Sequence, residues 1–254
     1  GQDAVIYLAS ISREALCQAK PELAHDINVK AFRPLVVQAK HCGIKRCLYA
    51  HAVAVCGSSK RQAVEDDELK PTTIYRTGKK ACETMLWDYQ SKDFVCTVTR
   101  SASVCGYSPR MRLDLTINRM VHDAMRRGSI VVEGGNQVRS HVHIQDLCDF
   151  YKLMLDAPRD AIRGQAFNVV CANQSVKDSA LMVARICGNV EIEVRARVDD
   201  RSYLVGGAKA KAELGWEPAR SIERAVSDLK AKFDSGYWKD SLTNPLYQNL
   251  LGDI

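Results

Sequence analysis

Tyr75 and Lys79 are the residues whose types and spacing most directly suggest chemistry. They stand four positions apart in the stretch TTIYRTGKKACETM, which reads as a helix. The helical period places positions i and i+4 on one face, so Lys79 can lie within reach of Tyr75 or of a ligand beside it. A nearby ammonium favours a phenolate and lowers a tyrosine pKa from about 10, which allows proton exchange with a substrate hydroxyl near neutral pH. The alternative is a surface tyrosine and lysine at chance spacing.

The elements that must position this pair are short apolar strands that alternate with helices. The helix with Tyr75 and Lys79 runs to about Tyr89, and another helix is predicted over residues 21–42, ended by Gly43. Uninterrupted apolar strands separated by helices imply a parallel sheet that is covered on both faces. The predicted strands are AVIYLA, RCLYAHAVAV and DFVCTVTRSA.

After Ser103 the pattern changes to shorter strands and helices, which predicts a small C-terminal α+β lobe. The strands predicted after Ser103 are SIVVEG, VRSHVHI, QAFNVV and EIEVRA, and the helix SVKDSALMVARIC begins after Ser175, a predicted N-cap. We therefore predict an α/β fold with a doubly wound Rossmann-like parallel sheet. Residues 1–106 are expected to form a partial dinucleotide-binding domain, and residues 107–254 mainly a substrate-binding lobe with segments that return to the sheet.

Two local predictions concern the segments around the sheet. Pro34 lies inside the helix predicted over residues 21–42, and an interior proline removes a hydrogen bond, so we expect a kink near Lys30. The polar stretch SSKRQAVEDDELKP is predicted to be a loop whose acidic run is a solvated surface.

Composition excludes several classes of protein. The chain has 254 residues, a net charge of +6 and basic residues spread along its length, which could attract phosphates but is not the clustered stripe of a nucleic-acid-binding protein. No apolar run approaches the ~20 residues needed to span a bilayer, and no signal-peptide pattern is visible. The ten cysteines include no CxxC pair, which favours buried thiols in a reducing, intracellular compartment, most simply the cytoplasm.

Seven segments in order resemble the extended short-chain dehydrogenase/reductase family, in its nucleotide-sugar epimerase/dehydratase branch. Each is weak alone, but their order and spacing match the family over nearly the whole chain. The resemblance implies the family's fold and an NAD or NADP cofactor. The segments are DAVIYLASIS, INVKA, YAHAVAVCG, YRTGK, TRSASVCGYSPRMR, GGNQVRSHVHIQDL and DDRSYLVGGAKAKAELGWEP.

The resemblance assigns roles around the cofactor. Tyr75 would be the acid/base, and Lys79 would hold the nicotinamide ribose while lowering the pKa of the tyrosine. Leu8 and Ala9 would line the cofactor groove at the carboxyl end of a strand, where ligands bind in open α/β sheets. Asn28 would orient this region from the following helix.

The resemblance also assigns substrate residues. Arg139 and Arg201 would bind the nucleotide diphosphate, a task that suits guanidinium groups, although each could instead form a surface salt bridge. His141 and His143 could share a metal by spacing, but the family pattern makes His143 structural and no metal is expected. Asp146 is expected to be a helix-start residue, stabilised by the helix dipole.

The sequence departs from the family pattern in two places. No G-x-x-G-x-x-G segment is present, and we expect that roughly sixty residues preceding this sequence carry it, the alternative being a real deletion. At the position of the family's catalytic serine or threonine stands Ala52, which has no hydroxyl. His51 beside it is expected to point to the other face of its strand, and Cys56 replaces a family tyrosine.

Three functions remain open from the sequence. The first is an NAD(P)-dependent nucleotide-sugar epimerase/dehydratase acting by hydride transfer with a tyrosine acid/base. The second is a catalytically degenerate relative that serves as a structural or regulatory subunit of a larger assembly, and the third is a plain sugar-nucleotide-binding module. The family tends to dimerise, and a homodimer here would use the helices at Glu22–Cys42 and Thr73–Tyr89.

Overall fold

The chain divides into two compact units, each assembled from three separate stretches. The computed structural model describes residues 1–58, 61–188, 190–196 and 202–248. The first unit comprises Gly1–Ala102, Asp149–Val169 and Val205–Glu217. The second unit comprises Ser103–Cys148, Val170–Leu204 and Pro218–Ile254.

A four-stranded sheet forms the centre of the first unit, and every neighbouring pair of strands is parallel. Its order is β1 (Ala4–Tyr7), β2 (Arg46–Ala52), β3 (Val95–Ser101) and β7 (Gln165–Val169). The two central strands are largely buried, as strands covered on both faces must be. The predicted Rossmann-like parallel sheet is confirmed.

Helices cover both faces of this sheet. On one face, α3 (Phe32–His41) and α4 (Ile74–Trp87) share a core in which the Phe32 ring packs 5.0 Å from Tyr7 and 4.8 Å from Tyr49 between centroids. On the other face, Phe167 of β7 packs against Phe150. The helices on that side are α6 (Ile144–Asp156), α7 (Arg159–Ile162) and α9 (Ala208–Leu214).

The prediction of a single helix over residues 21–42 is wrong in detail, because a π-helical turn interrupts the segment. After α1 (Glu14–Ala19), α2 (Pro21–His25) runs into a π-helical turn at Asp26–Lys30, and α3 follows. In the π turn the Ala31 amide donates to the Asp26 carbonyl at 3.0 Å, one residue further back than in an α-helix. At the position where a kink is expected, near Lys30, the structure has this π turn, and Pro34 has no N–H to donate to the Lys30 carbonyl.

Three helices and two small sheets build the second unit. The helices are α5 (Thr116–Arg127), α8 (Val176–Cys187) and α10 (Ile222–Asp234). One sheet has the order β4 (Ser103–Cys105), β6 (Val138–His143) and β8 (Ala172–Ser175), and the other pairs β5 (Ser129–Glu133) with β9 (Glu191–Arg195). Ser175 caps α8 as predicted, since its hydroxyl accepts from the Asp178 amide at 3.0 Å.

The structure also bears on two features of the sequence, its apolar runs and its cysteines. No helix within the described part of the chain is both long and apolar enough to cross a membrane. All ten cysteines are free thiols, and six of them are buried: Cys17, Cys47, Cys56, Cys82, Cys96 and Cys105.

Candidate active site

The start of α4 is fixed by polar contacts just ahead of Tyr75. The Thr73 hydroxyl accepts from the Arg76 amide at 3.4 Å and so caps the helix. The Glu14 carboxylate of α1 accepts from the Thr73 hydroxyl at 3.2 Å and from Arg76 Nε at 2.7 Å. Because these bonds join α4 to α1, they fix the turn of helix that carries the half-buried Tyr75.

Lys79 lies buried beside the carboxyl end of β2. Its side chain is on the inner face of α4, and its ammonium donates to the Ala50 carbonyl at 2.8 Å. The ammonium lies 4.7 Å from the centroid of the Tyr49 ring and 5.8 Å from that of the Tyr75 ring. Burial lowers the pKa of Lys79 to about 8. The structure therefore brings Tyr75 and Lys79 together at the strand ends, with the lysine out of bulk solvent.

A buried ion pair lies one helical turn beyond Lys79. Arg100 of β3 donates to both oxygens of Glu83 on α4, from Nη2 at 2.5 Å and from Nε at 3.2 Å. His51 Nε2 approaches the same carboxylate at 3.5 Å. Burial, aided by the charges of Lys79 and Arg100, lowers the pKa of His51 to about 3, so this imidazole is neutral. Neither Glu83 nor Arg100 was singled out from the sequence, although a charged residue inside the apolar run FVCTVTRSA is a signal for such a pair.

The acidic loop is not wholly solvated, which corrects the prediction for SSKRQAVEDDELKP. Glu65 is buried, and its carboxylate accepts from the Asn168 amide of β7 at 2.8 Å. Its backbone carbonyl accepts from Arg100 Nη1 at 2.9 Å. The neighbouring Asp66 and Glu68 are exposed as expected. The loop is therefore tied to the sheet by Glu65, while Asp66 and Glu68 face solvent.

The loop after β1 holds the predicted groove residues. Leu8 is 64% exposed and Ala9 is also exposed, directly after the carboxyl end of β1. Asn28 in the π turn is buried, and both ends of its amide contact Ile11: Oδ1 accepts from the Ile11 amide at 2.7 Å and Nδ2 donates to its carbonyl at 3.0 Å. Asn28 thus shapes the loop that follows Leu8 and Ala9, and its contact with a cofactor remains a prediction.

Ala52 is the last residue of β2, at the same edge of the sheet. It pairs in register with Ser101, the last residue of β3, whose hydroxyl donates to the His51 carbonyl at 3.1 Å. His51 points to the face covered by α4 and Ala52 to the opposite face, as strand alternation predicts. The strand end at Ala52 therefore presents a methyl group where the family pattern has a hydroxyl.

Arg139 lies in the second unit and lines a cavity of about 220 Å³. Its Nη1 donates to the Val138 carbonyl at 3.0 Å, and its guanidinium carbon lies 5.2 Å from the centroid of the Tyr203 ring. The cavity wall carries both charged and apolar side chains, among them Asp114, Arg119, Met120, Ile130 and Glu133. Arg201, the other predicted phosphate ligand, lies outside the described residues.

The histidines of β6 are buried. His141 is fully buried, and burial, with the charge of Arg139, lowers its pKa to about 4. Within the described ranges no group of three or more His, Cys, Asp or Glu residues could hold a metal ion.

Asp146 is in the first turn of α6, as expected, and it also accepts from the amide and the guanidinium of Arg220 at 3.0 and 2.6 Å.

Comparison with known sequences finds one matching family and several relatives. The model of the family described as "NAD dependent epimerase/dehydratase family" matches residues 1–170. A UDP-glucose 4-epimerase of Streptomyces lividans is 26% identical over 257 residues, which cover 89% of this chain and 74% of the relative. A UDP-glucose 4-epimerase of Bacillus subtilis strain 168 is 24% identical over 268 residues, which cover 95% of this chain and 76% of the relative.

Comparison with solved structures finds the same fold. UDP-glucuronic acid 4-epimerase from Bacillus cereus, in complex with UDP-glucuronic acid and NAD, superposes with a TM-score of 0.82 at 20% identity and covers 92% of this chain and 76% of that one. RMD from Pseudomonas aeruginosa, complexed with NADPH, gives a TM-score of 0.81 at 20% identity over 92% of this chain and 82% of that one. At this level of identity the likeness establishes the fold.

Proposed function

The chain belongs to the NAD dependent epimerase/dehydratase family, and on that premise we propose that it acts on a nucleotide sugar by hydride transfer, with Tyr75 as the acid/base. The observation that carries the proposal is the buried ammonium of Lys79, which is bonded to the Ala50 carbonyl and lies near the rings of Tyr49 and Tyr75. A buried cation next to a phenol favours the phenolate form, and a phenolate can take a proton from a sugar hydroxyl.

The residues at this edge of the sheet fit a nicotinamide dinucleotide. Lys79 has three N–H donors, and the contacts of the described residues use one of them, on Ala50, so two are available to ribose hydroxyls. The exposed Leu8 and Ala9 offer an apolar surface beside a loop that Asn28 holds in place. When bound, the dinucleotide would accept a hydride from the sugar carbon. Lys79 orients the ribose, and Tyr75 takes the hydroxyl proton.

We further propose that the second unit binds the nucleotide part of the substrate. Arg139 lines a cavity with a second cation, Arg119, and with the apolar side chains of Met120 and Ile130. Guanidinium groups suit phosphates, and apolar side chains suit the face of a base. Arg201 is proposed as a further phosphate contact. Because the sequence relatives above are UDP-glucose 4-epimerases, UDP-glucose is the first substrate to test.

We also propose that the protein is a homodimer. Four large apolar side chains are at least one-third exposed on α2, the π turn, α3 and α4: Leu23, Ile27, Leu35 and Ile74. These elements overlap the two helices through which the family is expected to dimerise. Burial of such side chains in a subunit interface would remove apolar surface from water.

Two measurements on the full-length protein test the proposed activity. The first is titration with NADH and NADPH, followed by dinucleotide fluorescence. The second is an assay of UDP-, GDP- and CDP-sugars with the wild type and with Tyr75→Phe. Loss of an acid/base typically lowers the rate by about 10²- to 10⁴-fold, and we expect Tyr75→Phe to do so while it binds the dinucleotide like the wild type.

Tyr89→Phe is the matched control, since Tyr89 follows the same helix and its hydroxyl accepts from the exposed Arg33. It should retain full activity. Absence of saturable binding of either dinucleotide would eliminate the proposal, and full activity in Tyr75→Phe would remove Tyr75 from it.

A further inference from the structure

The second unit contains a cavity of about 800 Å³ along α10. Its wall shares no residue with the Arg139 cavity, and the sequence motifs assign it no role. The volume lies in the range of small-molecule sites, about 300–1,000 Å³. The lining residues are Tyr107, His143, Ile144, Gln145, Ala219, Arg220, Ser221, Arg224, Asp228, Ala231 and Lys232.

One face of α10 supplies the charged wall of this cavity. Arg224, Asp228 and Lys232 follow one another at intervals of four residues, so they lie on the same face of the helix. Arg224 Nε pairs with Asp228 Oδ1 at 2.8 Å. The Lys232 ammonium lies 4.5 Å from the centroid of the Tyr107 ring and 4.6 Å from that of Tyr237. Among the residues that the structure describes, no carboxylate forms an ion pair with Lys232.

The cavity therefore carries an excess of positive charge. Arg220 is balanced by Asp146 behind it at 2.6 Å, and Arg224 is balanced by Asp228. Within the described ranges the Lys232 ammonium lies over the rings of Tyr107 and Tyr237 without a carboxylate partner. Aromatic rings attract a cation weakly in comparison with a carboxylate. An anionic group in the cavity would supply the charge that the wall lacks.

His143, which carries a buried ring nitrogen, lines the same cavity. The Gln145 amide donates to His143 Nδ1 at 3.0 Å, so in the neutral ring the proton is on Nε2. Burial lowers the pKa of His143, which favours this neutral form. The side chain is only 6% exposed, and Nε2 finds no hydrogen-bond partner in the part of the chain that the structure describes, where Asp228 Oδ2 is 3.8 Å away. An unpaired buried donor is destabilising, and an acceptor bound in the cavity would satisfy it.

We propose that this cavity binds a small organic anion through a carboxylate or phosphate group, which accepts from the Lys232 ammonium, the Arg224 guanidinium and His143 Nε2. Tyr107 and Ile144 contact the organic part of the ligand. This site is additional to the nucleotide-sugar site proposed above, and it depends neither on hydride transfer nor on Tyr75.

The test is calorimetric titration of the full-length protein with citrate and with pyrophosphate, which separate a carboxylate from a phosphate ligand. We expect one of them to bind saturably, with a Kd of about 1 mM or below. Lys232→Ala should weaken that binding about tenfold or more, a loss of about 1.4 kcal/mol. Lys230→Ala is the matched control, because Lys230 pairs with Asp234 on the same helix and does not line the cavity. It should bind like the wild type.

A second readout separates this cavity from the Arg139 site. The Cε1–H resonance of His143 should shift on addition of the bound anion in the wild type and in Arg139→Ala, and should shift less in Lys232→Ala. Three results would each overturn the proposal: no saturable binding of either anion below about 10 mM, wild-type binding in Lys232→Ala, or loss of binding in Arg139→Ala with Lys232 intact.

Discussion

At the scale of single residues, burial controls the charge of Lys79. A lysine in water loses its proton near pH 10.5, and burial beside Tyr49 and Ala50 lowers the pKa of Lys79 to about 8. Because the folded state binds this proton less tightly, the ammonium is present below about pH 8 and is lost above it. The ribose-binding role proposed for Lys79 needs the ammonium, so its pH range follows from the burial of one side chain.

We expect the affinity for NADH or NADPH to fall as the pH rises through about 8. Lys79→Met, which has no charge to lose, should bind more weakly at pH 7 and show no such fall between pH 7 and 9. Lys80→Met is the control. Lys80 follows Lys79 on the same helix and donates to the Leu69 carbonyl, so this variant should keep the wild-type dependence of dinucleotide affinity on pH. Fluorescence titration across this range measures all three proteins. A fall that persists in Lys79→Met would assign it to another group.

The methyl group of Ala52 leads to a prediction of increased activity. Loss of one positioned hydrogen-bond donor can cost on the order of 10²-fold in rate, so Ala52→Ser is expected to raise turnover by up to that amount. Ala54→Ser is the control, because Ala54 is just beyond the strand end and is also half-buried. Steady-state assays of both variants on UDP-glucose measure the effect. An unchanged rate in Ala52→Ser would show that another group, such as the neighbouring Ser101 hydroxyl, already fulfils this role.

At the scale of elements, α4 is joined to the sheet by the buried pair of Glu83 and Arg100. The pair lies one turn along α4 from Lys79, and Arg100 also bonds the carbonyl of Glu65. The loop before α4 and the helix itself are thus both held by a residue of β3. The position of the Tyr75 and Lys79 side chains depends on this contact as well as on apolar packing.

Removal of one partner from this pair should be strongly destabilising. Arg100→Met would leave Glu83 charged and buried, and such changes cost about 3–5 kcal/mol in the free energy of unfolding. Lys30→Met breaks the exposed pair of Lys30 with Asp26 and should change the free energy of unfolding far less, because solvent screens an exposed pair. The free energies of unfolding of the two variants are measured by urea denaturation and compared. Equal stabilities would show that the buried pair contributes no more than a surface one.

The elements that the sequence predicts well are those set by local pattern. The strands of the parallel sheet, the helix with Tyr75 and Lys79, and the Ser175 cap all follow from apolar runs, helical spacing and a capping side chain. The burial of Glu65 was not predictable, because it depends on Asn168, about one hundred residues further along the chain. Likewise, the contact between Asn28 and Ile11 was not predictable, because it depends on how the loop after β1 packs against the π turn.

At the scale of the whole molecule, the proposed homodimer is directly measurable. Leu35 and Leu181 are each 51% exposed, on α3 and α8 respectively, so they form a matched pair. Leu35→Glu would place a charge in the proposed interface and should shift the protein from dimer to monomer in sedimentation equilibrium. Leu181→Glu should sediment like the wild type. A wild-type protein that sediments as a monomer would contradict the proposal.

Each unit is assembled from three separate stretches of the chain, and this arrangement affects how the units fold while the protein is being synthesised. Strand β3 pairs on one side with β7, whose residues leave the ribosome only after Ser103–Cys148 of the other unit. Until then a nascent chain carries three of the four strands, with the outer edge of β3 bare. Bare strand edges invite pairing with other chains. The edge of β3 is thus open to such pairing in the interval between translation of Ser101 and of Val169.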